Sequence, residues 1–255
     1  MKAVILAAGY ATRLSPLTDE LPKQLLPLAE RPMLDWLLDR VHELEDVDGV
    51  HLVTNNRFAP AFAAWAEPHG VRVHDDGTTS NADRLGAVGD LHLVIERAGL
   101  QDEELLVLAG DNLFESSLVE YAAWWRTKPG IASAVALYDV GDLELATHYG
   151  IVETAENDRL TLFVEKPSDP PSTLAATLVY LLAPKHVRLI ERYLGEGHGA
   201  DNAGSFLGWL SRRQPVYGYR FEGHWYDIGN RDQLLQADNR MRQGAGLPER
   251  NAYTL

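Results

Sequence analysis

Short apolar runs alternate with amphipathic stretches along the first half of the chain. Ala3-Val4-Ile5-Leu6-Ala7 is apolar on both faces and reads as a buried central strand. From Met33 to Leu44, apolar residues fall at Leu34, Leu37, Leu38, Val41 and Leu44, with Asp35, Asp39, Arg40 and Glu43 off the stripe, which predicts a helix. His51 to Thr54 reads as a strand, Phe58 to Trp65 as a helix and Val71 to Val73 as a third strand. A helix beginning near Ala82 would set Leu85, Val88, Leu91 and Ile95 on one face. Leu105 to Ala109 is another fully apolar strand, Ser117 to Trp125 a helix and Ile131 to Leu137 a strand. This β-α-β-α-β order with short connections predicts an α/β protein built on a parallel, doubly wound sheet.

Beyond residue 138 the pieces are shorter. Gly150 to Glu153, Leu160 to Val164, Thr177 to Leu182 and Val216 to Phe221 read as strands. Leu189 to Leu194, Phe206 to Ser211 and Arg231 to Arg242 read as helices. No repeat and no low-complexity linker interrupts the chain. Residues 1–255 are therefore expected to form a single domain, with halves of about 1–137 and 138–255 sharing one sheet.

Composition narrows the function. Asp plus Glu outnumber Lys plus Arg by 37 to 23, a net charge of −14 in 255 residues, which argues against a nucleic-acid or anionic-membrane partner. The absence of cysteine excludes disulfides, thiolate metal sites and a cysteine nucleophile. The opening apolar run of five residues enters a glycine turn, unlike a signal peptide, and no run approaches a membrane span. A soluble, cytoplasmic protein is expected; homo-oligomerisation is left open. The nine histidines lack metal-ligand spacing and read mostly as solvated side chains.

The first strand stops abruptly at Ala8-Gly9-Tyr10-Ala11-Thr12-Arg13, where small residues allow a close backbone approach and free N–H groups can cradle an anion. Arg13 and Lys23 follow on a segment stiffened by Pro16, Pro22 and Pro27. Two cations on a stiff loop beyond a strand end suit a triphosphate. Asp111 comes directly after an apolar strand and Gly110, where a carboxylate can hold Mg²⁺ against phosphate oxygens. An ordinary helix N-cap would place an aspartate there equally well.

Residues 1–28 also resemble the signature of the sugar-1-phosphate nucleotidyltransferases, L-A-A-G-x-G-T-R-L-x-P-L-T followed by P-K-x-L-L-P, with Ala11 in place of the usual glycine. Further segments resemble that family in order: Ala109-Gly110-Asp111, Tyr149-Gly150, Val164-Glu165-Lys166-Pro167 and Trp225-Tyr226-Asp227-Ile228-Gly229. The resemblance implies a Rossmann-like mixed, predominantly parallel sheet flanked by helices. It implies Mg²⁺ between Asp111 and Asp227, phosphate contacts from Arg13, Lys23 and Lys166, and nucleotide contacts from Leu6, Ala8, Gly9, Asn81 and Gly86. Gly150, Glu165, Lys166 and Tyr180 would bind the sugar phosphate. Asp201 would hold a sugar hydroxyl, unless it is a helix N-cap. Two departures bear on the substrate: Asn81 stands where pyrimidine-selective members carry Gln, and Leu178 where the sugar pocket usually has Gly.

The implied reaction joins a nucleoside triphosphate and a sugar 1-phosphate into a nucleotide-sugar and pyrophosphate, with dTTP or UTP and a hexose 1-phosphate as the best fit. A CTP-dependent transferase acting on phosphocholine or a phosphonate, and a non-catalytic regulatory homologue, are the alternatives.

Overall fold

The computed structural model describes residues 1–255. The first half runs β1 (Lys2–Leu6), a minimal ribbon of β2 (Pro27–Leu28) and β3 (Arg31–Pro32), α1 (Met33–His42), β4 (Val50–Thr54), α2 (Ala59–Ala66), β5 (Arg72–Asp75), α3 (Ala87–Ala98), β6 (Leu105–Ala109), β7 (Asn112–Phe114), α4 (Leu118–Arg126) and β8 (Ser133–Asp139). The second half runs α5 (Leu143–Ala146), β9 (Gly150–Thr154), β10 (Leu160–Glu165), β11 (Leu174–Leu182), α6 (Pro184–Val187), α7 (Leu189–Gly195), α8 (Ala203–Ser211), β12 (Val216–Arg220), β13 (Trp225–Asp227) and α9 (Arg231–Gly244).

Nine strands make one mixed sheet. β5, β4, β1 and β6 are parallel neighbours with β1 between β4 and β6, as its wholly apolar sequence requires. β11 then joins antiparallel to β6, β8 and β9, so the sheet is mixed around a parallel core, as the family resemblance implied. Period-two alternation in β1 sends Ala3 and Ile5 into one buried layer and Val4 and Leu6 into the other. The first layer includes α1, α2 and α4, the second α3, α7 and α8. A fully buried Ile or Val of this kind contributes about 1.5–3 kcal/mol.

A third, smaller cluster positions the site. Leu14, Leu26 and Leu28 of the opening loop pack with Met33, Leu113, Ile228 and Leu234. That cluster ties the loop carrying Lys23 to the segments before α9.

Two expectations change. The helix expected near Ala82 begins at Ala87, and Leu85 is exposed rather than on the buried stripe. Asp83 accepts hydrogen bonds from Thr79 N and Ser80 N, and Gly86 adopts φ +80°, so the backbone cannot turn helical earlier. Three histidines are buried rather than solvated: His51 lies 3.0 Å from His74 between ring nitrogens, and His186 lies 2.7 Å from Ser133 Oγ.

Candidate active site

The site forms at the carboxyl edge of β1 and β6. Leu6 is paired with Ala109, and Gly110 N donates to Leu6 O at 2.9 Å, so the Gly9 loop and Asp111 leave the sheet side by side. No backbone N–H from Gly9 to Arg13 donates to a backbone carbonyl, as an anion-binding loop requires. Ala11 sits at φ 47°, ψ 37°, the left-handed region that glycine prefers, which explains why the resembled signature has glycine there.

Asp111 and Asp227 meet through a ribbon absent from the sequence reading. β7 and β13 pair antiparallel, with Asp227 opposite Asn112. The Trp225 indole N–H donates to Asn112 Oδ1 at 2.8 Å, so the Asn112 amide nitrogen faces the other way. That nitrogen lies 3.1 Å from Asp111 Oδ1 and 3.5 Å from Asp227 Oδ1. Asn112 and Trp225 are thus positioning residues that a three-residue strand gave no periodicity to detect.

Lys23 enters the same cluster. Its ammonium donates to Asp111 Oδ2 at 2.5 Å and to Ile228 O at 2.7 Å. Burial works to raise the Asp111 carboxyl, but the adjacent Lys23 charge and hydrogen bonds hold it below the usual carboxylate range. Asp227 has no such partner. Burial, then the charge of Asp111, push it up to about 6 against the opposing pull of Lys23, Arg13 and Lys166. Two carboxylates at one point are hard oxygen donors, and no third His, Asp or Glu joins them. That set suits Mg²⁺, which takes one or two carboxylates and fills its shell with water and phosphate oxygens.

Two cavities open on this cluster and share Ala109, Asp111 and Leu178. The first, of about 310 Å³, is lined by Leu6, Ala8, Gly9, Asn81 and Gly86, all five expected nucleotide contacts. Gly86 has a steric reason beyond its φ: a Cβ there would lie 2.4 Å from Asp201 Cα. Asp201 lines this cavity and not the second. Both its carboxylate oxygens accept from the Arg84 guanidinium, at 2.8 and 2.9 Å, while Asn202, not Asp201, caps α8.

The second cavity, of about 250 Å³, is lined by Gly150, Glu165, Lys166, Tyr180, Asp111 and Asp227. Asn202 Nδ2 donates to Glu165 Oε1 at 2.5 Å, fixing that carboxylate. A Cβ at Gly150 would meet Phe163 at 2.6 Å, so glycine is needed for packing as well as access. Lys166 adopts φ 44°, a conformation that turns the chain sharply at the end of β10. His148, Tyr149 and Trp225 complete the wall, and the two aromatic rings stand edge to face with centroids 5.1 Å apart. Arg13 lines neither cavity. It lies against Gly229, where an added Cβ would be 3.1 Å from Nη2, and its charge reaches Asp227.

A mixed α/β sheet with an open loop, two cations and a carboxylate pair between adjoining pockets has the architecture of a nucleotidyltransferase of the Rossmann-like type. The chain belongs to the nucleotidyl transferase family, whose model it matches over residues 2–244. It is 26% identical over 238 residues to the bifunctional protein GlmU of Methanocaldococcus jannaschii, covering 93% of this chain and 53% of that protein. It is 28% identical over 251 residues to a UTP–glucose-1-phosphate uridylyltransferase of Synechocystis sp., covering 93% of this chain and 62% of the relative. The chain thus spans between about half and two thirds of these curated relatives. Its fold matches a glucose-1-phosphate thymidylyltransferase structure from Bacillus anthracis with a TM-score of 0.82 at 23% identity, over 95% of both chains. No helix is long and apolar enough to cross a membrane.

Proposed function

We propose that the protein transfers a nucleotidyl group from UTP or dTTP to a hexose 1-phosphate, releasing pyrophosphate, in a Mg²⁺-dependent reaction in the cytoplasm. The observation that carries this reading is the convergence of Asp111 and Asp227 on one amide nitrogen, at the wall shared by two cavities. In this reading the whole chain is one catalytic unit, residues 1–137 supplying most of the nucleotide cavity and 138–255 most of the sugar cavity. The names of its relatives and of its structural neighbour support uracil or thymine nucleotides and glucose 1-phosphate as substrates.

The attacking group is an oxygen of the sugar phosphate, already ionised, so no protein nucleophile is needed. An in-line attack on the α-phosphorus forms a new P–O bond as the bond to pyrophosphate breaks. The protein's task is to bring two polyanions together and stabilise the transition-state charge. The free N–H groups of the Gly9 loop and Arg13 would hold the β- and γ-phosphates, Lys23 the α-phosphate and Lys166 the incoming phosphate. Glu165, fixed by Asn202, would accept from sugar hydroxyls, with the Tyr149 and Trp225 rings against the apolar face of the sugar. Mg²⁺, bound by Asp111 and Asp227, would supply charge neutralisation to phosphate oxygens of both reactants.

The test is pyrophosphate release from a panel of UTP, dTTP, CTP, ATP and GTP against glucose 1-phosphate, other hexose 1-phosphates and phosphocholine. Mg²⁺-dependent release with UTP or dTTP and a hexose 1-phosphate is expected. Release only with CTP and phosphocholine, or none with any pair, would overturn the reading.

A further inference from the structure

The nucleotide cavity contains an acid that nucleotidyl transfer does not use. Asp90, in the first turn of α3, is 6% exposed and lines the cavity alongside the apolar surfaces of Leu6, Ala8 and Ala87. Beside it stands Asp76, just after β5 and equally enclosed. Asp76 is fixed to the loop: its N–H donates to Thr54 O at 2.8 Å and its Oδ1 accepts from Thr78 N at 2.7 Å. Asp76 Oδ2 and Asp90 Oδ1 are buried with no donor from any other residue, so a protonated Asp90 gives its hydrogen to Asp76, and no lysine, arginine or histidine forms an ion pair with either. An alanine or leucine at position 90 would complete an apolar wall at no desolvation cost, whereas a buried carboxyl without a cation is costly.

We infer that Asp90 is a base-reading residue: its carboxyl, backed by Asp76, faces the slot and hydrogen-bonds the imide edge of a uracil or thymine. The inference rests on the proposal that this cavity takes a nucleoside triphosphate. Two buried carboxyls side by side do not both ionise. Burial first, and the Asp76 charge second, push Asp90 up to about 8, so it carries a proton at neutral pH. With that hydrogen turned to Asp76, the other Asp90 oxygen is left to the cavity as an acceptor for the N3–H of the imide. The other charged and titratable groups nearby are Tyr10 and Asp83 on the far side of Asp76, and Lys23, Asp111, Arg84 and Asp201 around the rest of the cavity.

The experiment measures binding of UTP, dTTP and inorganic tripolyphosphate, each with Mg²⁺, by calorimetry on the full chain. Asp90→Ala is expected to weaken UTP and dTTP by at least about tenfold, the effect of leaving a desolvated base edge unpaired, and to leave tripolyphosphate unchanged. Asp90→Asn, which keeps a donor beside an acceptor, should bind UTP within about threefold of wild type, a comparison that stands even if the alanine variant folds poorly. Equal losses of UTP and tripolyphosphate, unchanged UTP binding by Asp90→Ala, or an equal loss of UTP binding in Asp90→Asn and Asp90→Ala would each overturn the inference. If wild type still releases pyrophosphate from UTP and a hexose 1-phosphate, only the role of Asp90 falls. If wild type binds no nucleotide, the proposed function falls with it.

Discussion

The Lys23 ammonium lies 2.5 Å from Asp111 Oδ2, inside a cluster that also holds Asp227, and Lys23 is almost fully buried. One cation is thus shared between a carboxylate and the position where phosphate charge would develop. Lys23→Ala should lower turnover by about a hundredfold, the usual effect of losing one preorganised electrostatic contact. It should also destabilise the fold by about 2 kcal/mol, less than for a fully enclosed pair because Asp111 is 26% exposed. Steady-state pyrophosphate release and urea unfolding measure the two effects; near-normal turnover would remove Lys23 from the mechanism.

Asp227→Asn keeps the shape of the side chain beside Asn112 but removes one of two like charges. The Mg²⁺ concentration for half-maximal velocity should rise at least about tenfold, as losing a donor to the ion predicts. The Mg²⁺-free protein should become more heat-stable near neutral pH, because Asp227 is raised by burial and by Asp111 and is costly to ionise. Metal titration of activity and thermal melts in EDTA test both. An unchanged Mg²⁺ requirement would remove Asp227 from the metal site.

Much of this was legible in the chain, and the exceptions share a physical cause. Runs such as Leu105 to Ala109 carry their burial in their composition, and β6 has those bounds. Helix periodicity found α1 and α9 within two residues at each end. By contrast β7 and β13, which bring the two aspartates together, are three residues each, too short for an alternation to register. Asp90 was invisible for a related reason: one acid within an apolar stripe looks like a solvated residue until its neighbours are known. The pairing of Arg84 with Asp201 joins residues 117 positions apart in the chain, which no local pattern encodes.

Ala11 in the left-handed region makes a prediction of the opposite sign from most loop mutations. Relief of the Cβ clash should exceed the added freedom of the unfolded chain, so Ala11→Gly should stabilise the protein by about 1 kcal/mol with activity retained. Chemical denaturation of the two proteins checks it. A destabilised variant would mean that Ala11 makes a compensating contact.

The buried His51–His74 pair ties stability to pH. Burial, then the neighbouring His74, Arg72 and Lys2, lower His51 to about 4 from an ordinary 6.5. The unfolded chain therefore takes up a proton that the folded chain refuses, and stability falls as pH drops from about 6.5 towards 4 and levels off below. His74 is lowered in the same direction. The loss from His51 is on the order of 2 kcal/mol. Urea unfolding at pH 7 and pH 5 should show it in wild type and a shallower slope in His51→Leu. Equal slopes would assign the acid sensitivity to carboxylates instead.

Leu178 lines both cavities, at the boundary between the proposed nucleotide and sugar sites. It stands on β11 between two stretches paired with β8, where the register slips between Ala176 and Tyr180, so the backbone there can absorb a smaller side chain. Leu178→Ala would remove bulk from the shared wall without touching Asp111, Lys23 or the phosphate contacts. The KM for hexose 1-phosphates bearing larger substituents at a ring carbon should therefore fall by about three- to tenfold, in line with one or two methylenes of pocket volume, while that for the nucleoside triphosphate changes less. A kinetic comparison of glucose 1-phosphate with N-acetylglucosamine 1-phosphate in wild type and variant measures this. An equal change for both sugars would mean that Leu178 supports the wall but does not select the substrate.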